Sequence, residues 1–298
     1  MAEELTWWAA TAEQVLQAPC KTQHPPSRQE MLQSLKFPRA SLLTTTVHGV
    51  AFKNEAQPLI QLFADLHALD ISWRGRPALK FSVKCDKVVC AMKEIYGDDE
   101  GVQLLYLLKT FGFNGSHLRT ANASAWRPDE LNEILQALHD YPLSLYPITY
   151  NKRLIHFARG KRYSFGEEIV ANASMEVFDL WNELSFPERQ QTFLHELGHT
   201  LAYRGQLDTS TAWLKIGGWK ESRKLVNKLE YKVYELADPS KAVSEYGMLN
   251  PQEDFAESVV AYRFRGAYLK KAQPEKYEFL KTQTFANREY LSEDQCLK

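Results

Sequence analysis

The segment FLHELGHTLAYRG places two histidines four residues apart, with a glutamate beside the first. The surrounding stretch 186–205 has Pro187 near its start and Gly205 at its end, which predicts a single helix. Residues four apart lie on one helix face, so His195 and His199 can direct two imidazole nitrogens at one ion. This arrangement constrains the fold, because another part of the chain must then supply the remaining ligand.

The chemistry of this helix suits a catalytic zinc ion. Zn²⁺ accepts neutral imidazole, and a catalytic site uses three protein ligands with one position open for water. Glu196 follows His195 directly and can take a proton from that water, whose pKa the metal lowers toward ~7. The alternative is an amphipathic helix that happens to carry two histidines, since a bare HExxH also arises by chance.

A third ligand is predicted in the segment 244–264. Asn250 and Pro251 are good cap and first-turn residues, so a helix is expected to begin there. Glu253 and Glu257 then share one face. The first carboxylate can bind zinc, while the second accepts a hydrogen bond from a ligand histidine. The alternative is an ordinary acidic helix start.

Asp254 is the weaker candidate for the third ligand. It points about 100° away from Glu253 around the predicted helix. Its carboxylate can instead stabilise the helix by interacting with the positive end of the helix dipole.

These motifs resemble those of a known family. HELGH at 195–199, followed by Y-G-x-x-N-x-x-E-x-F-A-E at 246–257, is similar to the catalytic domain of anthrax lethal factor. It is also similar to the Pro-Pro endopeptidases and other zincins whose third ligand is a glutamate. The match continues into AQPEKYEFLKTQ (272–283) and covers roughly 187–283, about a third of the chain.

The resemblance implies that His195, His199 and Glu253 bind zinc and that Glu196 is the general base. It also implies that Tyr246 stabilises the oxyanion and that Glu257 is a second acidic residue of the site. A phenol donor also suits the negative charge that builds on a carbonyl oxygen during hydrolysis. A buried core tyrosine is the alternative for Tyr246, and Tyr203 and Tyr262 are other tyrosines that can lie near the cleft.

The predicted fold class is α+β and mostly helical. A helical N-terminal region, 1–125, precedes a zincin-like catalytic domain, 126–298, with a small mixed sheet and the HExxH helix. Apolar spacing and Pro or Gly boundaries predict the helices. Besides 186–205, they are 55–70, 98–111, 127–142, 220–236, 251–271 and 274–290.

Two strands, 152–159 and 167–174, are expected to form a hairpin. The second is the candidate cleft-edge strand that pairs with an extended substrate, with Asn172 and Ala173 in it. The segment 209–220 has no counterpart in the family. Its Gly217-Gly218 pair, flanked by Trp213 and Trp219, predicts a bent loop, which either roofs the cleft or serves packing.

Composition limits the partners. The formal net charge is −1, and the basic clusters are short, so no nucleic-acid partner is predicted. No apolar run approaches the length of a membrane span. The expected partner is a peptide or protein substrate, and the oligomeric state stays open.

Four cysteines are compatible with two disulfides or with four thiols; they are Cys20, Cys85, Cys90 and Cys296. Their even number and the character of the N-terminus favour a secreted or periplasmic protein, with a cytoplasmic one as the alternative.

The predicted function is a zinc-dependent endopeptidase with Glu196 as general base. The alternatives are a secreted effector or toxin protease specific for one partner protein, and a zinc-containing binding protein without hydrolytic activity.

Overall fold

The structure is a computed structural model. It describes residues 26–34, 45–47, 50–52, 99–115, 124–146, 149–150, 153–154, 156–159, 169–171, 174–226 and 229–291. The predicted helix 55–70, the four cysteines, Asn172 and Ala173 lie outside these residues.

The described elements form an α+β structure in which helices predominate. The first are α1 (Arg28–Ser34), β1 (Thr45–Val47), β2 (Val50–Phe52), α2 (Glu100–Tyr106), which continues as a π-helix (Leu107–Phe111), β3 (Asn114–Gly115), α3 (Pro128–Leu138) and a 3₁₀ helix (Leu143–Leu145). The next are β4 (Thr149–Tyr150), β5 (Arg153–Leu154), β6 (His156–Arg159), β7 (Ile169–Ala171), β8 (Ser174–Val177) and a 3₁₀ helix (Asp179–Glu183). The last are α4 (Phe186–Gly205), α5 (Thr211–Gly217), β9 (Trp219–Val226), β10 (Leu229–Leu236), two 3₁₀ helices (Pro239–Lys241 and Tyr246–Met248), α6 (Pro251–Phe264), α7 (Gly266–Ala272) and α8 (Pro274–Gln283).

The main sheet has four strands in the order β3-β6-β8-β7. The predicted hairpin between 152–159 and 167–174 is wrong, because β6 pairs in parallel with β8. The antiparallel partner of β7 is β8, only two residues further along the chain, and such short links favour hairpins. β7 is an edge strand of this sheet and contacts α4.

A long β-hairpin replaces the predicted helix 220–236. Strands β9 and β10 pair antiparallel over eight residues each, around a two-residue link. Their charged residues make cross-strand ion pairs, with 3.1 Å between Arg223 and Glu230 and 3.0 Å between Lys232 and Glu221. These pairs join residues 7 and 11 positions apart, beyond the i,i+3 and i,i+4 spacings at which charges stabilise a helix.

The bent loop predicted at 209–220 is also wrong, because Thr211–Gly217 form helix α5. Ser210 caps helix α5 by accepting a hydrogen bond from the Trp213 N–H. Gly218 follows at φ 73°, a left-handed conformation that favours glycine, and directs the chain into β9.

Helix α6 packs against α4 in the core. At the crossing, a Cβ on Gly198 would lie 3.4 Å from the Ala256 Cα and 3.6 Å from the Val259 Cβ. Phe193, Leu197 and Phe255 are fully buried on the same two helices. Tight packing therefore sets the HExxH helix against the helix that carries the two glutamates. None of the described helices is long and apolar enough to cross a bilayer.

His139 follows the last residue of α3 and packs among aromatic rings. Its ring centroid lies 6.0 Å from that of Tyr106 and 5.4 Å from that of Phe111. Burial, and secondarily the charge of Arg288, lowers the pKa of His139 to about 4. The folded protein therefore keeps this histidine neutral through weakly acidic pH.

We expect His139 to make the protein acid-sensitive. Its folded pKa lies below the unfolded value of about 6.5, so the stabilisation is present above pH 6.5 and is lost as pH falls toward 4. The free energy of unfolding should fall by up to about 3 kcal/mol over this range. Denaturant titrations of wild type and His139→Gln at several pH values measure it. An equal loss in the variant would assign the effect to other groups.

Candidate metal centre

Helix α4 carries the two predicted histidine ligands. The helix starts after Ser185, whose N–H donates to the Glu188 side chain at 2.7 Å, as in a capping box. Nearly three turns later, the imidazoles of His195 and His199 meet with ring centroids 4.8 Å apart and nearly perpendicular planes. His195 is buried, with 7% of its surface exposed.

Helix α6 carries the predicted carboxylates. Asn250 caps it by accepting a hydrogen bond from the Glu253 N–H at 2.9 Å, and Pro251 is its first residue. This start sets the helical phase, so Glu253 and Glu257 both face His195 on α4.

The structure brings His195, His199 and Glu253 together as a group that could hold a metal ion. The two Nε2 atoms lie 3.1 Å apart, and Glu253 Oε2 lies 3.1 Å from His195 Nε2 and 3.2 Å from His199 Nε2. Ligand atoms around a tetrahedral zinc ion are roughly 3.4 Å apart, given metal–ligand distances of about 2.1 Å. The donor set and its spacing therefore fit such an ion.

The electrostatics of the group are those of a cation site. Burial alone would lower the pKa of His195, but the hydrogen bonds to Glu253 and Glu257 outweigh it and raise that pKa to about 10. Burial would raise the pKa of Glu253, but the hydrogen bonds from His195 and His199 lower it to about 2. In the metal-free protein the acids thus hold a proton on His195 at neutral pH. A metal ion would displace that proton from Nε2.

Glu257 holds the far side of the His195 ring. Its Oε1 accepts a hydrogen bond from His195 Nδ1 at 2.9 Å, and its Oε2 accepts one from Ser244 Oγ at 2.7 Å. The carboxylate is 1% exposed. Because Nδ1 is bound to Glu257, Nε2 is the nitrogen that points at the ligand group. The contact with Ser244 was missed, since no spacing rule in the sequence connects that loop residue to the helix.

We expect Glu257→Gln to weaken zinc binding by about 10- to 100-fold, because partners that orient a ligand histidine typically contribute that much. Competition with a chromophoric chelator measures the dissociation constant. Glu245→Gln is the control, since it removes an exposed acid from the neighbouring turn. Equal zinc affinities for the two variants would contradict the orienting role of Glu257.

Tyr246 begins the 3₁₀ helix before α6 and lies over the site. Its ring centroid is 5.8 Å from that of His195, and the side chain is 45% exposed. Tyr246 is therefore not a buried core tyrosine. Tyr262 is one, because it is fully buried and its hydroxyl donates a hydrogen bond to the Arg288 carbonyl. Tyr203 is exposed and lies one turn beyond His199 on the same helix face.

Glu196 is half-buried beside the ligand group, and its charge helps to raise the pKa of His195. Asp254 is not part of the group. Its buried carboxylate contacts Lys276 Nζ at 2.5 Å and accepts a hydrogen bond from Trp219 Nε1.

The two tryptophans of the 209–220 segment serve packing. Trp213 is fully buried, and its Nε1 donates to the Pro251 carbonyl at 3.2 Å. Trp219 is 6% exposed and binds Asp254. Both indoles thus attach α5 and the hairpin to the start of α6, directly beside the third predicted ligand.

Comparison of the chain with protein-family models, with curated proteins and with solved structures finds no match in any of the three. Support for a function therefore comes from the residues of the site itself.

Proposed function

We propose that the protein is a zinc-dependent endopeptidase of the glutamate-zincin type, with His195, His199 and Glu253 as ligands. The observation that carries the proposal is the mutual spacing of 3.1–3.2 Å among one oxygen and two nitrogens from these side chains. Two imidazoles and one carboxylate would supply three ligands to the ion and leave room for a water, as in catalytic zinc sites. The proposal includes the assignment of residues 126–298 as a zincin-like catalytic domain.

The chain's own residues supply the remaining steps. When bound, zinc provides a Lewis acid that polarises the peptide carbonyl and lowers the pKa of water. Glu196 takes the proton from the attacking water and delivers it to the leaving amine. The Tyr246 hydroxyl donates to the oxygen on which negative charge develops. The edge strand β7, beside α4, offers backbone groups to an extended substrate.

The binding-protein alternative is less favoured because of Glu196. A structural zinc site closes its coordination sphere with four protein ligands and has no use for a base. An effector protease with one partner protein, acting outside the cell or in the periplasm, is a narrower form of the same proposal.

Metal analysis combined with cleavage profiling tests the proposal. Purified protein should bind about one zinc per chain. It should also cleave members of a mixed peptide pool, lose that activity to a chelator and regain it with Zn²⁺. Stoichiometric zinc without cleavage of any peptide would favour the binding protein. Iron in place of zinc would point to another use of a two-histidine, one-carboxylate site.

A further inference from the structure

One short turn reaches both sides of the His195 imidazole. Ser244 contacts the carboxylate that holds Nδ1, and Tyr246, two residues later, places its ring 5.8 Å from the imidazole ring. The turn belongs to the connection between the β9–β10 hairpin and α6, and its side-chain contact with Glu257 was not anticipated from the sequence.

The hydrogen bonds around this turn converge on the Glu257 carboxylate. The Gly247 N–H donates to Ser244 Oγ at 3.0 Å, and the Ser244 hydroxyl donates to Glu257 Oε2 at 2.7 Å. Glu257 Oε1 then accepts from His195 Nδ1 at 2.9 Å. A serine hydroxyl has one proton to donate, so its use on Glu257 leaves the Oγ lone pairs to accept from Gly247. The chain of bonds therefore runs from the backbone next to Tyr246 to the imidazole.

The turn also lies close against α6. A Cβ on Gly247 would lie 3.3 Å from Ser244 Oγ and 3.4 Å from the Asp254 Cα. A side chain at 247 would thus crowd the same hydroxyl. The absence of one lets the turn approach the helix on which Glu257 is buried.

We propose that Ser244 is a positioning residue that sets two groups at once, the Glu257 carboxylate behind the ligand His195 and the peptide that follows Tyr246. This inference rests on the proposed zinc peptidase function, which it deepens. Without the hydroxyl, one oxygen of a buried carboxylate loses its donor, which is costly. The rotamer of Glu257 is then no longer held, and the Tyr246–Gly247 peptide loses its acceptor.

Ser244→Ala should therefore affect both zinc binding and turnover. The zinc dissociation constant should rise about 10-fold, as for other partners that orient ligands. The kcat value should fall with little change in KM, because the Tyr246 hydroxyl acts only on the developing oxyanion. Ser244→Thr keeps the hydroxyl and should restore both values to near wild type.

Ser258→Ala is the matched control. Ser258 lies next to Glu257 on α6, is fully buried, and its hydroxyl has no hydrogen-bond partner among the described residues.

Gly247→Ala is a second variant that keeps Ser244 but crowds its Oγ. It should lower kcat even if Ser244→Ala folds poorly, and thermal unfolding of the metal-free variants identifies such a folding defect.

The decisive measurement is the dissociation constant for Zn²⁺ alone, by chelator competition, beside kcat and KM on a peptide that the wild type cleaves. The inference is supported if Ser244→Ala is impaired, Ser244→Thr is restored and Ser258→Ala is unchanged. It is overturned if Ser244→Ala binds zinc and cleaves as wild type does, or if Ser244→Thr is as impaired as Ser244→Ala. A wild type that binds no zinc would instead refute the proposed function.

Discussion

Replacing Glu196 with glutamine should leave zinc bound and lower kcat/KM for peptide cleavage by about 10²- to 10⁴-fold, the usual contribution of general acid–base catalysis. Glutamine has nearly the shape of glutamate but cannot accept the proton of the attacking water. Glu196 is absent from the group of candidate ligands in the described part of the chain, so its loss should spare the metal. Zinc content by mass spectrometry and steady-state kinetics on one peptide provide both readouts.

His199→Ala is the counterpart to this variant, because it removes one of the three atoms that lie 3.1–3.2 Å apart. It should lose both zinc and activity. Wild-type cleavage by Glu196→Gln would refute the mechanism. Loss of zinc in Glu196→Gln would show that Glu196 supports the site rather than the chemistry.

Lys276→Met should destabilise the fold by about 3–5 kcal/mol, the usual effect of removing one partner of a buried ion pair. Both Lys276 and Asp254 are at most 1% exposed, with 2.5 Å between Nζ and Oδ1. Methionine fills a similar volume but leaves the Asp254 carboxylate uncompensated, although the Trp219 indole still donates to it. Denaturant unfolding of the metal-free protein measures the loss.

Two controls separate the buried charge from packing. Lys270→Met removes an exposed lysine from the neighbouring helix, where it pairs with Glu289 at 3.2 Å, and should change stability by less than about 1 kcal/mol. Adding Asp254→Asn to Lys276→Met removes the stranded charge and should recover part of the lost stability. A Lys276→Met protein as stable as wild type would contradict a stranded charge at Asp254.

The sequence predicted those parts of the site that depend on local signals. The start of α6 follows from Asn250 and Pro251, which cap and open a helix whatever packs against it. Once that start is known, the helical period places Glu253 and Glu257 on one face. The pattern of α4 is equally local, and the helix spans the predicted 186–205.

What depended on distant contacts was not predictable. The helix expected over 251–271 ends at Phe264, and at Gly266 a Cβ would lie 2.9 Å from the Tyr290 carbonyl oxygen. The helix expected over 274–290 ends at Gln283, and positive φ angles follow at Ala286 and Asn287. The parallel pairing of β6 with β8 likewise joins residues 18 positions apart. Only the folded chain reveals such partners.

The division of the ligand group between α4 and α6 has a consequence for folding. An ion bound to both helices would act as a cross-link, closing a loop of about 50 residues that contains α5 and the β9–β10 hairpin. Ion uptake would then stabilise the native state in proportion to the logarithm of the free metal concentration. Scarcity of the ion would make the protein easier for proteases to degrade, so that its abundance would follow the metal supply.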